Sequence, residues 1–294
     1  MLKGIYTPII TPFDAKERIN YEGLAHNLDR WGKTDLDGIL VLGSNGEFPY
    51  LTPKEKLEMV RFVKGNFNAK KKLIVATSCE STRETIEFSR KVAQVGVDAV
   101  VLLPSNYFKG AMKEDLLYRY FADVADSVPV PVMLYNMPLN TGINLSSSLV
   151  ARLAKHPNIV GIKDTSGNIV QLAEMVRDTD DDFAVFAGNA GYLLPALAVG
   201  ARGATLALAN ILPEACCNLV GLFKQGKLKE ARELQLQLIE INTLVTGRFG
   251  IPGLKAALDL LGYQGGFPRR PLLPISEEGR AVVARSLRQL GALS

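Results

Sequence analysis

The sequence predicts a (β/α)8 TIM barrel with extra C-terminal helices, and three observations carry that expectation. Eight short β-rich runs recur before the last quarter of the 294-residue chain. They are apolar on both faces, as parallel strands covered by helices are. Amphipathic segments with helix-start signals separate them, and parallel neighbours need such crossovers. Eight strands close with a filled interior, whereas a doubly wound open sheet is the alternative architecture.

The first run, GIYTPI, begins at Gly4, and GILVL follows at Gly38. LIVAT starts at Leu73, AVVLL at Ala99 and VMLY at Val132. NIVGIK from Asn158, FAVFAG from Phe183 and GATLAL from Gly203 complete the series. Thr52 and Pro53 open KEKLEMVRFVKG, pairing a hydroxyl cap with a proline whose missing N–H is harmless in a first turn. Ser81 opens TRETIEFSRKVAQVG, Leu145 precedes SSSLVARLAKHP, and Gly96 and Pro157 punctuate helix ends. Beyond the eighth run the chain turns helical, with KLKEARELQLQLIEINTLV, PGLKAALDLLGY and a last segment from Ser276. No flexible linker or composition break appears. Residues 1–294 are therefore expected as one domain, with 1–222 the barrel and 223–294 a helical extension packed outside it.

Composition narrows the functional classes. A hydrophobic fraction of 47% with 22% charged residues is that of a globular chain with ample core. The net charge of +4 is scattered rather than blocked, so no nucleic-acid role is expected. There is no signal-peptide pattern and no stretch of membrane-spanning length, which makes the cytoplasm the expected location and a membrane partner unexpected. Cys79 stands alone and Cys216 adjoins Cys217, a poor disulfide framework that fits a reducing compartment. With only His26 and His156, neither near a cysteine, no transition-metal site is expected.

In a barrel of this kind the chemistry sits at the C-terminal ends of strands. Lys163 closes the apolar run Ile159 to Ile162, and alternation puts it on the face of Ile159 and Gly161. If that face is the interior, burial favours the neutral amine that a carbonyl nucleophile must be. The same position also suits a solvated, snorkelling lysine. Tyr135 ends the preceding strand, and neighbouring strands lie roughly 5 Å apart. Its phenol can pass a proton during imine formation with help from Ser44 and Tyr107, or it can simply pack in the core. GSNGE, Gly43 to Glu47, offers backbone amides and the Ser44 hydroxyl to an anion such as a carboxylate, although Gly-polar-polar-Gly is also an ordinary turn.

These residues resemble the class I aldolases and synthases that include dihydrodipicolinate synthase, N-acetylneuraminate lyase and the 2-keto-3-deoxy-sugar-acid aldolases. GSNGE, YNMP, NTG and GIKDTSGN stand in the family's order, and the resemblance covers essentially the whole chain. Within the family it looks closest to 4-hydroxy-2-oxoglutarate aldolase, through GSNGEFPYLT at Gly43, CEST at Cys79, HPNIVGIKD at His156, RFGIPGLK at Arg248 and GYQGG at Gly262. The resemblance implies that Lys163 carries a Schiff base, that Tyr135 donates and accepts protons, and that Ser44 with Asn45 holds a pyruvoyl carboxylate. It further implies that Tyr107 completes the relay, in a neighbouring subunit's site of a homotetramer built from dimers. Thr165, Gly188 and Thr205 would line the pocket.

One departure stands out. Dihydrodipicolinate synthases typically carry an arginine where this chain has Asn140, and threonines where it has Ser44 and Asn45. An amide supplies no bidentate cationic fork, which argues against aspartate semialdehyde as the partner. Asn45 and Thr165 can instead hydrogen-bond the distal part of a hydroxy-oxo acid. The expected reaction is cleavage of 4-hydroxy-2-oxoglutarate to pyruvate and glyoxylate without cofactor or metal. The alternatives are dihydrodipicolinate synthesis, a 2-keto-3-deoxy-sugar-acid aldolase or dehydratase using the same lysine, and a noncatalytic oxo-acid-binding barrel. A metal-dependent aldolase is disfavoured by the shortage of histidines.

Overall fold

In the computed structural model, which describes residues 2–294, eight parallel strands close into a barrel in sequence order. They are β1 (Gly4–Pro8), β2 (Gly38–Val41), β3 (Lys72–Ala76), β4 (Ala99–Leu102), β5 (Val132–Asn136), β6 (Ile159–Asp164), β7 (Ala184–Ala187) and β8 (Gly203–Thr205). Each expected run supplies one strand, and β1 pairs with both β2 and β8, which excludes the open sheet.

The interior is filled by unequal partners. Tyr6 of β1 and Phe186 of β7 are buried with ring centroids 5.6 Å apart. A Cβ on Gly38 would lie 2.5 Å from the Tyr6 ring, and one on Gly203 would lie 2.7 Å from the Phe186 ring. Glycine at these two places surrenders the volume that the rings take up.

Between β5 and β6 the register slips at Val132/Met133, so that Val132 faces Ile159 while Met133 faces Gly161. Beyond the slip Tyr135 faces Lys163 and Asn136 faces Asp164. The extra residue, Val160, interrupts plain alternation from Ile159, so the face of Lys163 follows from Gly161 onward. The pairing that matters is fixed by the run after it.

The crossover helices begin where hydroxyl caps allow. Thr52 and Glu55 form a reciprocal capping box on helix Pro53–Asn66, and Ser81 and Ser146 cap helices Thr82–Ala93 and Ser147–Leu153. Helix Pro213–Lys224 follows β8 and packs on β1, and the boundary expected at residue 222 falls inside it. Helices Leu228–Thr243, Gly250–Leu260 and Glu277–Gln289 follow. Gln235 bridges the extension to the barrel, accepting from the Leu194 N–H and donating to the Ala190 carbonyl, both at 2.9 Å. A π-turn, Leu244–Arg248, joins the first two of these helices, with the Phe249 N–H donating to the Leu244 carbonyl. Pro252 has no N–H to return to Arg248, so the ladder is already loosened there. Among the described residues no helix is long and apolar enough to cross a membrane.

Candidate active site

The ends of β5 and β6 open into a cavity of about 370 Å³, lined among others by Ser44, Asn45, Tyr135, Lys163, Thr165 and Gly188. Lys163 is 4% exposed, and its Nζ lies 4.0 Å from the centroid of the Tyr135 ring. Among the described residues no hydrogen bond or ion pair engages that nitrogen. The adjacent carboxylate is occupied elsewhere: Asp164 accepts from Asn136 Nδ2 at 2.7 Å, from the Ser166 N–H at 3.0 Å and from the Ser166 hydroxyl at 2.6 Å. Tyr192 donates to the Asp164 carbonyl at 2.8 Å, and burial holds its phenol protonated well above the usual range. The strand carrying the lysine is therefore pinned by neighbours that leave the amine itself free.

Met137, the third residue of YNMP, has a place that no sequence signal announced. Its sulfur accepts the Tyr135 hydroxyl at 2.9 Å and the Ser44 hydroxyl at 3.3 Å. The direct Ser44–Tyr135 contact expected of a relay is not made. A thioether accepts a hydrogen bond but cannot hand on a proton, so the sulfur stands between the two hydroxyls as a break rather than a link. A methionine reads as packing, so no sequence pattern assigns it a role.

The Gly43–Gly46 turn lies between two non-glycine residues in left-handed conformation, Leu42 at φ 59 and Glu47 at φ 55. Each costs about 1–2 kcal/mol and persists only where surrounding contacts impose it. Within the loop, Asn45 Nδ2 is buried without a partner, a donor available to an anion.

The other expected residues divide. Thr165 lines the cavity, but its hydroxyl proton is committed to the Asn136 carbonyl at 2.6 Å, so its oxygen faces a ligand only as an acceptor. Gly188 is there for closeness, since a Cβ would stand 2.1 Å from Thr165 Cγ2. Asn140 is exposed at the rim, shared with a neighbouring cavity of about 460 Å³ that Lys56, Cys79, Glu80 and Glu84 help to line. Thr205 is not in the lining: it is fully buried at the end of β8 opposite Tyr6, and Ala207 reaches the wall instead. Tyr107 is not brought to Tyr135 within the chain. It is 79% exposed, with its ring against Phe108, on a loop whose Asn106 and Tyr107 N–H groups both donate to Glu80 at 2.9 Å. The π-turn adds Thr246 and Gly247 to the wall, and the helix after it adds Ile251. Only the unusual RFGIPGLK segment beside them gave any hint.

The comparisons with known proteins agree along the whole chain. The model of the dihydrodipicolinate synthetase family matches residues 1–290. A 4-hydroxy-tetrahydrodipicolinate synthase of Archaeoglobus fulgidus is 35% identical over 295 residues, covering 100% of both chains. One of Oceanobacillus iheyensis is 34% identical over 274 residues, or 93% of this chain and 92% of its own. Among solved structures, a dihydrodipicolinate synthase of Bacillus anthracis superposes with a TM-score of 0.94 at 32% identity, covering 98% of each chain. A prophage protein of the dihydrodipicolinic acid synthase family from E. coli K12, in complex with pyruvate, does so with a TM-score of 0.94 at 32% identity, covering 99% of each. These relatives carry the synthase's name, so they support the family but not the closer kinship to 4-hydroxy-2-oxoglutarate aldolase expected from the motifs. With the strand order, the free amine and this match in hand, the chain belongs to the dihydrodipicolinate synthetase family and is a carbon–carbon lyase of its class I, pyruvate type.

Proposed function

We propose that Lys163 forms the imine and that the enzyme releases pyruvate from a 4-hydroxy-2-oxo acid. The observation that carries this reading is the buried Lys163 Nζ, unpaired within the cavity and beside the Tyr135 ring. The amine adds to C2 of the oxo acid, and loss of water, with Tyr135 moving the proton, leaves a protonated imine. Tyr135, having given its proton to the departing water, takes the C4 hydroxyl proton; the C3–C4 bond breaks and its electron pair enters the imine. An aldehyde departs and an enamine remains. Protonation at C3 and hydrolysis free pyruvate and restore the amine. Ser44 and the unpartnered Asn45 amide are the groups proposed to hold the substrate's C1 carboxylate.

Two readings of the partner aldehyde have separate support. The names of the relatives favour condensation of pyruvate with aspartate semialdehyde, and on that ground the synthase is the better-backed reading. Cleavage is favoured by the lining: among the described residues Lys163 is its only Lys or Arg, and Asn140 stands where synthases typically place an arginine. 4-Hydroxy-2-oxoglutarate is the substrate proposed from the motifs, its distal carboxylate resting on amides instead of a guanidinium fork. A 2-keto-3-deoxy sugar acid, with hydroxyls and no second charge, suits the same neutral wall. The active form is proposed to be a homotetramer, a dimer of dimers, in which the exposed Tyr107 serves a neighbour. Three free thiols suit the reducing, cytoplasmic location proposed with it.

One experiment tests both levels. Borohydride with pyruvate is expected to add mass to the peptide bearing Lys163 and none in Lys163→Ala, while a steady-state panel ranks the substrates. Absence of trapping in the parent overturns the imine. Faster consumption of aspartate semialdehyde than of any 4-hydroxy-2-oxo acid gives the function to the synthase.

A further inference from the structure

Helix Gly250–Leu260 contributes Ile251 to the cavity wall, and one turn later it carries Lys255. The Lys255 side chain is 1% exposed, and its Nζ stands 2.6 Å from Oε1 of Glu47, whose side chain is 0% exposed. The ammonium also donates to the carbonyls of Thr11, at 2.8 Å, and Phe267, at 2.6 Å. Glu47 Oε2 takes the Arg269 backbone N–H at 2.8 Å, and the ion pair alone compensates Oε1. Thr11 in turn donates its hydroxyl proton to the Gly46 carbonyl at 2.7 Å, so the strut reaches the loop at two consecutive residues. Neither charge takes part in the chemistry proposed above.

A charge pair excluded from water is a poor device for stability alone, because replacing both partners by apolar groups is often neutral or better. What it enforces well is one arrangement. Here the enforced arrangement includes the left-handed Glu47, the residue that ends the loop carrying Ser44 and Asn45.

We infer that Lys255 is a positioning residue for recognition of the substrate carboxylate, acting through Glu47 to hold Ser44, Asn45 and Gly46 in the geometry that receives it. The C-terminal extension thereby serves the site twice, as a wall through Thr246 and Ile251 and as the strut beneath the anion loop. The inference rests on the Schiff-base reading, and the test separates their failures.

The rate of borohydride trapping is measured against pyruvate concentration for the parent, Lys255→Met and Glu47→Gln, with folding checked by circular dichroism. Both variants are expected to need at least tenfold more pyruvate for half-maximal trapping, with the rate at saturation within twofold of the parent. A purely structural pair would lower the amount of trappable protein and leave half-saturation where it was. If Lys255→Met does not fold, Glu47→Gln decides, since it keeps the shape of the side chain. Half-saturation within twofold of the parent in a folded variant overturns the inference while the imine stands. A parent that traps no pyruvate removes both.

Discussion

The side chain at the centre of the site is defined as much by what avoids it as by what touches it. Asp164 follows Lys163 directly in the chain, yet its carboxylate is consumed by Asn136 and Ser166. It therefore makes no ion pair with the amine beside it, which is left open to the cavity. The centroid of the Tyr135 ring lies 4.0 Å from the amine, and the Tyr135 hydroxyl donates to the Met137 sulfur. Tyr135→Phe keeps the ring against Lys163 and deletes only the hydroxyl. It is expected to lower kcat by about 10²–10⁴-fold, the range of a positioned proton donor, with slower trapping by borohydride at the same site. Unchanged kcat would assign proton transfer to another group. Lys163, Tyr135 and Ser44 stand out as candidates in the sequence because each ends or follows an apolar run, whereas Asn45 enters only through the family resemblance. Thr205, expected in the lining, is buried away from it, and Met137 carries no sequence signal, because face and reach depend on neighbours that a single run does not display.

At the scale of elements, the loop after β2 and helix Gly250–Leu260 form one unit although about 200 residues separate them, a join made by Lys255 and Glu47. Burial lowers the Lys255 ammonium from 10.5 to about 8, against the pull of Glu47 and Asp259 and with a small push from Arg269. Between those values the unfolded chain keeps a proton that the folded chain has released. This group's contribution to unfolding free energy therefore rises with pH across the window, while the strut it provides is lost. Half-saturation by pyruvate is expected to climb in the parent above about pH 8 and to stay flat in Lys255→Met. Over the same interval, thermal unfolding of the parent is expected to gain on that of the variant. A parent that loses ground to Lys255→Met would contradict the assignment. Removing one partner of a buried pair costs about 3–5 kcal/mol, so the comparison belongs at temperatures well below unfolding.

For the whole molecule, closure of the barrel brings Lys163, Tyr135 and the β2 loop to one mouth, and the extension then narrows it. The exposed Tyr107 and Phe108 stand on the loop after β4, which Glu80 pins in place rather than leaving to wander. Large rings held in water by a rigid loop suit burial against another chain. Light scattering is expected to give four times the chain mass, and Tyr107→Ala to weaken trapping only if that tyrosine reaches a neighbour's site. A monodisperse monomer with full activity would remove Tyr107 from the relay.

By itself the sequence determined the strand count, the parallel order, the capped crossovers and which residues stand at the strand ends. These follow from local patterns of apolar runs, caps and turns, which act over a few residues. Only the tertiary structure decided which hydroxyl meets which partner, how the slip at Val160 sets Tyr135 against Lys163, and that a buried charge on a C-terminal helix underpins a loop far earlier in the chain. Those outcomes depend on contacts between segments remote in sequence, where close packing and the cost of burying charge select one arrangement from many that the local patterns allow.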